Sequence, residues 1–156
     1  MKGDYFVKTE IISKEKRNMI VMDVRIDNFV SFKDFHMNMS YPKKIVGSCI
    51  QNEYLGGREN FRYKKVNIIM GANASGKTSL GKMLMRIFNF IDKKQYEKLT
   101  EFINDTAKEA SFTMDFVTNQ FIMYRIRTVI KPRQKDKYQS TDIAVKVKAA
   151  EINSRD

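Results

Sequence analysis

The sequence predicts an α/β fold in which a glycine-rich loop joins a short strand to a helix and antiparallel strands complete the structure. Three observations predict it. The stretch GANASGKTSL, at Gly71–Leu80, matches the pattern G-x-x-x-x-G-K-[ST]. An apolar run, Val66–Met70, comes directly before this loop, and an amphipathic pattern typical of a helix follows it. Alternating apolar and polar residues across Phe112–Ile130 are typical of antiparallel strands.

The chain before the loop is predicted to contribute two strands. In the stretch MIVMDVRIDNF, the residues Met22, Val24 and Ile26 alternate with polar neighbours, which indicates a half-buried strand. A second strand is predicted across Phe35–Met39. It ends before Pro42, because proline cannot donate to a sheet ladder.

Two stretches beside these strands look irregular. Residues 1–18 carry many charges and show no sustained period, so we expect a loose extension with one short strand at Tyr5–Ile12. Lys43–Lys65 contains a Gly56-Gly57 pair and is predicted to be a long surface connection.

Around the loop itself, the sequence predicts a strand and then two helices. Val66–Met70 is short and mostly apolar, which predicts a fully buried strand. Lys93–Asp105 is predicted to be a weaker amphipathic helix. Between the two, one face of a stronger helix is predicted from six apolar residues at helical spacing: Leu80, Met83, Leu84, Ile87, Phe88 and Ile91. A strand, a loop and a helix in this order are the context that the motif requires.

The remaining chain is predicted to form antiparallel strands. Apolar and polar residues alternate from Phe112 to Phe116 and from Ile122 to Ile130, on either side of the turn-like Thr118-Asn119. This pattern indicates a hairpin. A polar connection follows at Lys131–Thr141, and Ile143–Val147 alternates as a third strand.

Length and composition favour a folded cytoplasmic protein. The chain has 156 residues, which corresponds to one domain or part of a larger one. Its apolar fraction is 42%, with 11 Phe and 10 Met, so it can build a core. The single Cys49 cannot form an internal disulfide, and the N-terminal residues lack the apolar run of a secretion signal. No window approaches about 18 consecutive apolar residues, so we expect no membrane span.

The charge balance is strongly basic. Lys and Arg outnumber Asp and Glu by 29 to 18, which gives a formal charge of +11. Such an excess favours a polyanionic partner such as DNA, because cations that neutralise phosphates release counterions. A generally basic host proteome, or an acidic half of the protein that this chain lacks, predicts the same number equally well.

The loop carries the chemistry of nucleotide triphosphate binding. Gly71 and Gly76 let the backbone curl around phosphates, and the amides across Asn73–Thr78 point inward at the positive end of the helix dipole. Lys77 is expected to reach the β- and γ-phosphates, and the Thr78 hydroxyl to ligate a Mg²⁺ ion that bridges them. The side chains of Asn73 and Ser75 either touch the γ-phosphate or face solvent. The predicted ATP-binding residues of the loop are Gly71, Asn73, Ala74, Ser75, Gly76, Lys77, Thr78 and Ser79, with Thr78 also the metal ligand.

Hydrolysis needs an additional acidic residue at the end of a second buried strand, and a residue that orients the attacking water. Downstream of Thr78, no run of four apolar residues ends in Asp-Glu. MIVMD, at Met19–Asp23, has a suitable composition but lies upstream and lacks the Glu, so we interpret it as a sheet strand. Asp115 lies in an alternating and therefore half-exposed stretch. The sequence thus predicts binding without an identifiable hydrolytic acid.

Two stretches resemble a known family. VRIDNFVSFKDF, at Val24–Phe35, and NIIMGANASGKTSLGKML, at Asn67–Leu84, resemble the opening of the ABC-type ATPase heads of the SMC, RecF and OLD-like group. The resemblance covers roughly residues 20–130. It implies a partial ABC-type ATPase head over 19–150, with a mixed β-sheet, a P-loop helix and an antiparallel β-subdomain, between an N-terminal extension (1–18) and a tail (151–156).

The resemblance also implies a function. It implies an ATP-binding lobe that uses ATP and Mg²⁺ and acts in DNA metabolism or anti-phage defence. Related heads flank the nucleotide base with their first strand and its turn, so Asn28, Phe29 and Lys33 are predicted beside the base or sugar. A core position for Phe29 is the equally favoured alternative. Partners implied in this way are a second copy of the chain or a separate downstream ATPase half.

Several elements of such heads are not recognisable in this chain. YLGGREN, at Tyr54–Asn60, superficially resembles the Ser-Gly-Gly signature but precedes the phosphate loop, so we interpret it as a loop. Gln120 falls in a predicted turn, and His36 comes too early to be the switch histidine. We therefore expect hydrolysis only in a complete head or with a partner. The alternatives are a small P-loop kinase or GTPase, and a non-enzymatic nucleic-acid-binding module supported by charge and by Lys131–Lys137.

Overall fold

The computed structural model describes residues 19–41, 50–73, 75–118 and 120–153. The predicted extension over residues 1–18, with its short strand at Tyr5–Ile12, lies outside the described residues, as do residues 154–156 of the tail. Within the described residues, no helix is long and apolar enough to cross a membrane.

A five-stranded antiparallel sheet is the main element of the structure. Its strands lie in the order β2-β1-β5-β6-β7, and every neighbouring pair runs antiparallel. Two further strands form a separate hairpin, β3–β4. The strands are β1 (Ile20–Asp27), β2 (Phe35–Asn38), β3 (Tyr54–Leu55), β4 (Arg58–Arg62), β5 (Ala110–Val117), β6 (Ile122–Ile130) and β7 (Ile143–Glu151); the helices are α1 (Lys77–Lys93) and α2 (Tyr96–Thr100), with a 3₁₀ turn at Ser140–Asp142.

The predicted mixture of helices and strands is confirmed, as are two strands, β1 and β2, before the loop and three, β5 to β7, after it. The first two strands, the hairpin of β5 and β6, and β7 all form where the alternation of the sequence indicated. The sheet differs from the predicted mixed sheet, because among the described residues its strands are antiparallel throughout. The strand that would have introduced a parallel neighbour, Val66–Met70, is not part of it.

One face of the sheet is buried under helix α1. Phe90 of the helix and Phe112 of β5 pack edge to face, with ring centroids 5.8 Å apart, which is a favourable aromatic geometry. The helix buries Leu80, Met83, Ile87, Phe90 and Ile91. The predicted stripe was wrong at Phe88, which is 38% exposed. Phe90 replaces it because it lies three residues after Ile87 and seven after Met83, on the same helical face.

A β-bulge moves Met22 away from this core. The register between β1 and β5 shifts between Val21 and Asp23, so Met22 is an extra residue. Val21 and Val24 both pack on the helix side of the sheet, whereas Met22 joins a smaller apolar cluster with Leu55. The prediction that Met22, Val24 and Ile26 share one face is therefore wrong for Met22, because strict alternation does not anticipate a bulge.

The predicted surface connection contains a hairpin. Strands β3 and β4 pair around Gly56-Gly57, with Leu55 opposite Arg58. Gly57 has a φ of +80°, a conformation that favours glycine. Strand β4 has the sequence RENFR, which is mostly charged or polar, so no apolar alternation indicates a strand there. The Gly-Gly pair between two extended runs is nevertheless a hairpin signal. Leu55 places the hairpin against the second apolar cluster, on the sheet face away from α1.

The predicted buried strand at Val66–Met70 is not formed. These residues adopt no regular secondary structure, and four of the five are large apolar residues with exposed side chains: Val66 (55%), Ile68 (78%), Ile69 (49%) and Met70 (86%). No strand pairs with this segment among the described residues. An apolar run becomes a buried strand only when other strands and helices cover it.

The second predicted helix is shorter than expected. It covers Tyr96–Thr100, within the predicted Lys93–Asp105. Helix α1 ends first, because Lys94 adopts the left-handed conformation (φ 56°) and donates its N–H to the carbonyl of Phe90. Leu99 and Ile103 are nevertheless buried in the main core, as the amphipathic pattern indicated.

Asn28 connects the end of β1 to the segment that precedes β5. Its side-chain amide donates to the carbonyls of Asp105 (2.8 Å) and Glu109 (3.1 Å), and its Oδ1 accepts the Asp105 N–H (2.9 Å). Its backbone has a φ of 58°, which asparagine tolerates better than most residues. Asn28 is 8% exposed, so these partners have little access to water as a substitute.

We predict that Asn28→Ala lowers the free energy of unfolding by about 3 kcal/mol, because it leaves buried backbone groups without a partner and places alanine in a left-handed conformation. Chemical denaturation measures the change. Asn104→Ala is the matched control, since Asn104 is exposed and contributes only its backbone N–H to the Asn28 carbonyl. A loss for Asn28→Ala no larger than that of the control would show that this amide does not support the fold.

Candidate phosphate-binding loop

The glycine-rich loop leads directly into the first turn of α1. Gly76 is the N-cap residue, with φ 91° and ψ 3°, and its carbonyl accepts the Leu80 N–H at 2.9 Å. The helix is 17 residues long and has no acidic residue in its first turn. Its amino-terminal N–H groups therefore carry a partial positive charge that no internal carboxylate offsets, which favours an anion.

Lys77 lies folded over the loop. Its Nζ donates to the carbonyls of Gly71 (2.5 Å) and Ala72 (2.7 Å) and to the Ser75 hydroxyl (3.2 Å). These acceptors are neutral, and none of the ion pairs among the described residues involves Lys77. The arrangement places the one cation of the motif among the backbone groups that are expected to surround a phosphate.

Close packing inside the loop explains the glycine at its start. A Cβ on Gly71 would lie 2.7 Å from the Ser75 hydroxyl oxygen, so any larger residue would displace that side chain. The Ser75 N–H also donates to the Ala72 carbonyl at 3.3 Å. Of the two side chains predicted to touch either the γ-phosphate or solvent, that of Ser75 is exposed and accepts a hydrogen bond from Lys77.

The other predicted loop residues are accessible. Asn73 and Thr78 are exposed, and Ser79 is half-buried at the start of the helix. The Thr78 hydroxyl lies one residue after Lys77 and is the oxygen that the motif assigns to a metal ion. Ala74 lies outside the described residues.

The turn after β1 lies beside the loop, but through different residues from those predicted. A Cβ on Gly76 would lie 3.9 Å from a ring carbon of Phe32 and 4.0 Å from the Ser31 hydroxyl. Phe29 is fully buried in the main core, and Asn28 is occupied by the backbone bonds described above. Of the three predicted base-flanking residues, only Lys33 is exposed. Ser31 and Phe32, which follow Phe29 within the stretch VRIDNFVSFKDF, are the residues of this turn that lie next to Gly76.

Lys33 lies in the electrostatic environment of Asp105. The pKa of the Asp105 carboxyl is lowered, first by the Ala107 N–H that donates to it at 3.0 Å and then by Lys108 at 3.2 Å, with a smaller contribution from Lys33. The carboxylate is therefore held in its charged form. It adds a negative charge next to the turn that neighbours the loop.

Asp23 and Asp115, the two acids considered for a metal site, lie on the other face of the sheet from α1. They are direct partners across β1 and β5, while the adjacent Val24 and Met114 pack in the core under the helix. Among the described residues, no group of three or more His, Cys, Asp or Glu side chains is arranged to hold a metal ion.

Both carboxylates already have cationic or polar partners. Asp115 is 2% exposed and forms a bidentate pair with Arg125, at 2.7 and 2.5 Å, which raises the pKa of the arginine. Asp23 bonds to His36 Nε2 at 2.6 Å and to Asn38 at 2.9 Å. These residues line a depression of about 420 Å³ next to the β3–β4 hairpin. The cluster was not predicted, because it depends on the bulge and on the register of three strands.

We predict opposite effects of alanine at two glycines of this region. Gly76→Ala should destabilise the protein by about 1–2 kcal/mol, because it forces alanine into a left-handed conformation. Gly81→Ala should stabilise it by about 0.5–1 kcal/mol, because Gly81 lies in the helix with no atom within 4 Å of an added Cβ. Thermal unfolding of both variants measures the sign. Equal effects would contradict the described conformation of the loop.

No family model, curated protein or solved structure matches this chain. The resemblance to the SMC, RecF and OLD-like heads therefore remains an expectation from the sequence. A phosphate ligand is favoured by the local chemistry of the loop, where Gly76, Lys77 and the amino terminus of α1 come together.

Proposed function

We propose that this chain is an ATP-binding lobe that holds ATP and Mg²⁺ at the loop Gly71–Thr78 and needs further residues, from outside the described structure, to hydrolyse the nucleotide. One observation carries the proposal. The only lysine of the motif, Lys77, lies over the loop at the amino terminus of a long helix whose first turn has no acid. This combination of a mobile cation and unsatisfied N–H groups is the chemistry that a triphosphate requires.

The loop residues would bind different parts of the nucleotide and its metal ion. Backbone N–H groups from Gly76 onward donate to phosphate oxygens, and Gly76 itself gives the chain the turn that brings them together. Lys77 exchanges neutral carbonyl acceptors for charged phosphate oxygens, which form stronger bonds with an ammonium. The Thr78 hydroxyl is exposed and suits a hard cation. A bound Mg²⁺ would supply charge neutralisation between the phosphates.

The environment of the loop supports an incomplete site. The segment that enters it, Val66–Met70, exposes apolar side chains and has no strand partner among the described residues. Asp23 and Asp115 lie on the opposite face of the sheet, where they form ion pairs with Arg25 and Arg125, respectively. We therefore propose that a second polypeptide or a further part of the protein covers Val66–Met70 and supplies the acid and the water-orienting group.

The biological setting follows only from the family resemblance. The resemblance to ATPase heads of the SMC, RecF and OLD-like group supports a role in DNA metabolism or anti-phage defence. Such heads sandwich nucleotide between two copies, so a homodimer or a complex with a separate ATPase half is the corresponding assembly.

We predict that the chain binds ATP-Mg²⁺ weakly and that Lys77→Ala lowers the affinity at least tenfold. The loss of the loop cation removes its charge-assisted bonds to the phosphates, each worth about 1.5–3 kcal/mol. Isothermal titration calorimetry measures the affinity. Lys82→Ala is the control, because Lys82 is exposed on the same helix but outside the motif.

Equal affinity in the original chain and in Lys77→Ala, with both proteins folded, would contradict a phosphate site at this loop. An equal loss in Lys82→Ala would show that binding depends on the overall charge of the helix and not on the motif.

We also predict that the purified chain shows no steady-state ATPase activity above that of its Lys77→Ala variant. Groups that stabilise the transferring phosphoryl and orient water account for about 10³–10⁵ in rate, and the described residues near the loop provide no candidate for them. Phosphate release under multiple turnover measures the activity. Robust turnover that disappears in Lys77→Ala would refute the incomplete site and would identify the loop as part of a complete one.

A further inference from the structure

Four cations form a compact block on the sheet face away from α1. Arg125 and Arg127 of β6 lie directly opposite Lys148 and Lys146 of β7, respectively. All four residues are exposed. Like charges directly opposite each other destabilise an antiparallel pair, and here two such pairs are adjacent. We name these four residues the cation block. Because their mutual repulsion destabilises the sheet, an anionic ligand that neutralises them would be favoured.

Edge protection explains only part of the cation block. Lysines on an edge strand discourage aggregation, and β7 is an edge of the described sheet, so Lys146 and Lys148 alone need no further explanation. Strand β6, however, lies between β5 and β7, and its arginines cannot serve that purpose. Arg125 and Arg127 therefore indicate something beyond protection of an edge.

The surroundings leave most of this charge available. Asp115 pairs with Arg125, whose side chain remains 59% exposed. Among the described residues, neither Arg127, Lys146 nor Lys148 forms an ion pair. The register places Arg25 and Thr113 in the same cross-strand row as Arg127 and Lys146, and this row contains no acid. A depression of about 510 Å³ covers the β1, β5 and β6 part of this row, where Arg25, Arg125 and Arg127 lie beside Asp23, Asp27 and Asp34.

The loop between β6 and β7 extends the positive charge along the hairpin. The stretch KPRQKDK contributes four exposed cations and one acid. From Phe121 to Asn153, eight Lys and Arg residues stand against three Asp and Glu. The hairpin is therefore positive at two places, the cation block and the basic loop, with Val129 and Ala144 between them.

The chemistry of this surface selects among polyanions. A membrane surface would require apolar anchors, but the exposed large apolar residues of the described structure lie in the loop segment 66–70, on α1 and at Ile50. Single-stranded nucleic acid would require exposed aromatic rings for stacking, and among the described residues the only exposed Phe or Tyr ring, that of Phe88 at 38%, lies on α1. A flat array of arginine and lysine side chains suits the phosphates of a duplex. Contacts to phosphates position a protein on the duplex without reading its sequence.

We propose that the solvent face of β6 and β7 is a docking surface for double-stranded nucleic acid, held through its phosphates by Arg125, Arg127, Lys146 and Lys148 and by the basic loop beyond them. The surface is separate from the nucleotide loop, which lies at the end of α1 on the other side of the sheet. Its contacts go to the backbone, so binding is independent of sequence and falls with salt.

The test compares two double variants with the same change in charge. Arg127→Gln/Lys146→Gln removes one cross-strand pair of the cation block, whereas Lys82→Gln/Lys98→Gln removes two exposed lysines from α1 and α2. The affinity of the full chain for a short fluorescent DNA duplex is measured by anisotropy between about 50 and about 200 mM salt. Thermal unfolding checks both variants, and the first should be no less stable than the original chain because a repulsive pair is lost.

We expect Arg127→Gln/Lys146→Gln to bind at least tenfold more weakly and to lower the slope of log affinity against log salt by about two, since each phosphate contact contributes about 0.9. The control variant should change the affinity less than threefold. Lys77→Ala should leave duplex binding unchanged, which separates this surface from the nucleotide loop.

Three outcomes would overturn the proposal. Equal losses in the two double variants would assign binding to net charge alone. Tighter binding to single-stranded DNA of the same sequence would contradict a duplex surface. Equal or tighter binding to polyglutamate, or to vesicles containing phosphatidylserine, would identify an acidic protein or a membrane as the partner.

Discussion

The buried side-chain amide of Asn28 joins the end of β1 to the segment before β5, and the rest of the structure depends on this connection. Strands β1 and β5 form the centre of the sheet. The same turn carries Phe29 into the core and sets Ser31 and Phe32 against Gly76. The Asn28 side chain thereby helps to position the end of the candidate phosphate-binding loop, where α1 begins. Because its partners are backbone groups, few other residue types can replace it.

The sheet separates two surfaces of different chemistry. Its inner face is apolar and packs on α1, whose amino terminus forms the phosphate loop. Its outer face carries the carboxylate pair Asp23 and Asp115 and the cation block. The β-bulge at Met22 helps to make this division, because it lets Val21 and Val24 both remain on the inner side while Asp23 turns outward. A ligand at one surface therefore need not compete with a ligand at the other.

The sequence predicted most of the helices and strands but few of the tertiary contacts between them. Alternation identified β1, β2 and β5–β7, and the helical period identified α1, because each of these buries one face against the same core. The motif indicated the loop, but the contacts of Lys77 and the approach of Phe32 depend on tertiary packing. The bulge at Met22 and the hairpin at Gly56-Gly57 break the periodic patterns, so neither followed from alternation.

Val66–Met70 shows how a correct local pattern gives a wrong structural expectation. Its composition favours a buried strand, yet burial depends on neighbours that the described residues do not supply. Several consecutive residues here expose large apolar side chains to water, which is unfavourable. A partner that covered them would gain about 25 cal/mol of free energy for each Å² of apolar surface buried. Because the segment leads directly into Gly71, any partner that orders it also fixes the entrance of the phosphate loop. In the complex proposed above, the partner would complete the fold and the site in the same event, and the affinities for nucleotide and for partner would be thermodynamically coupled.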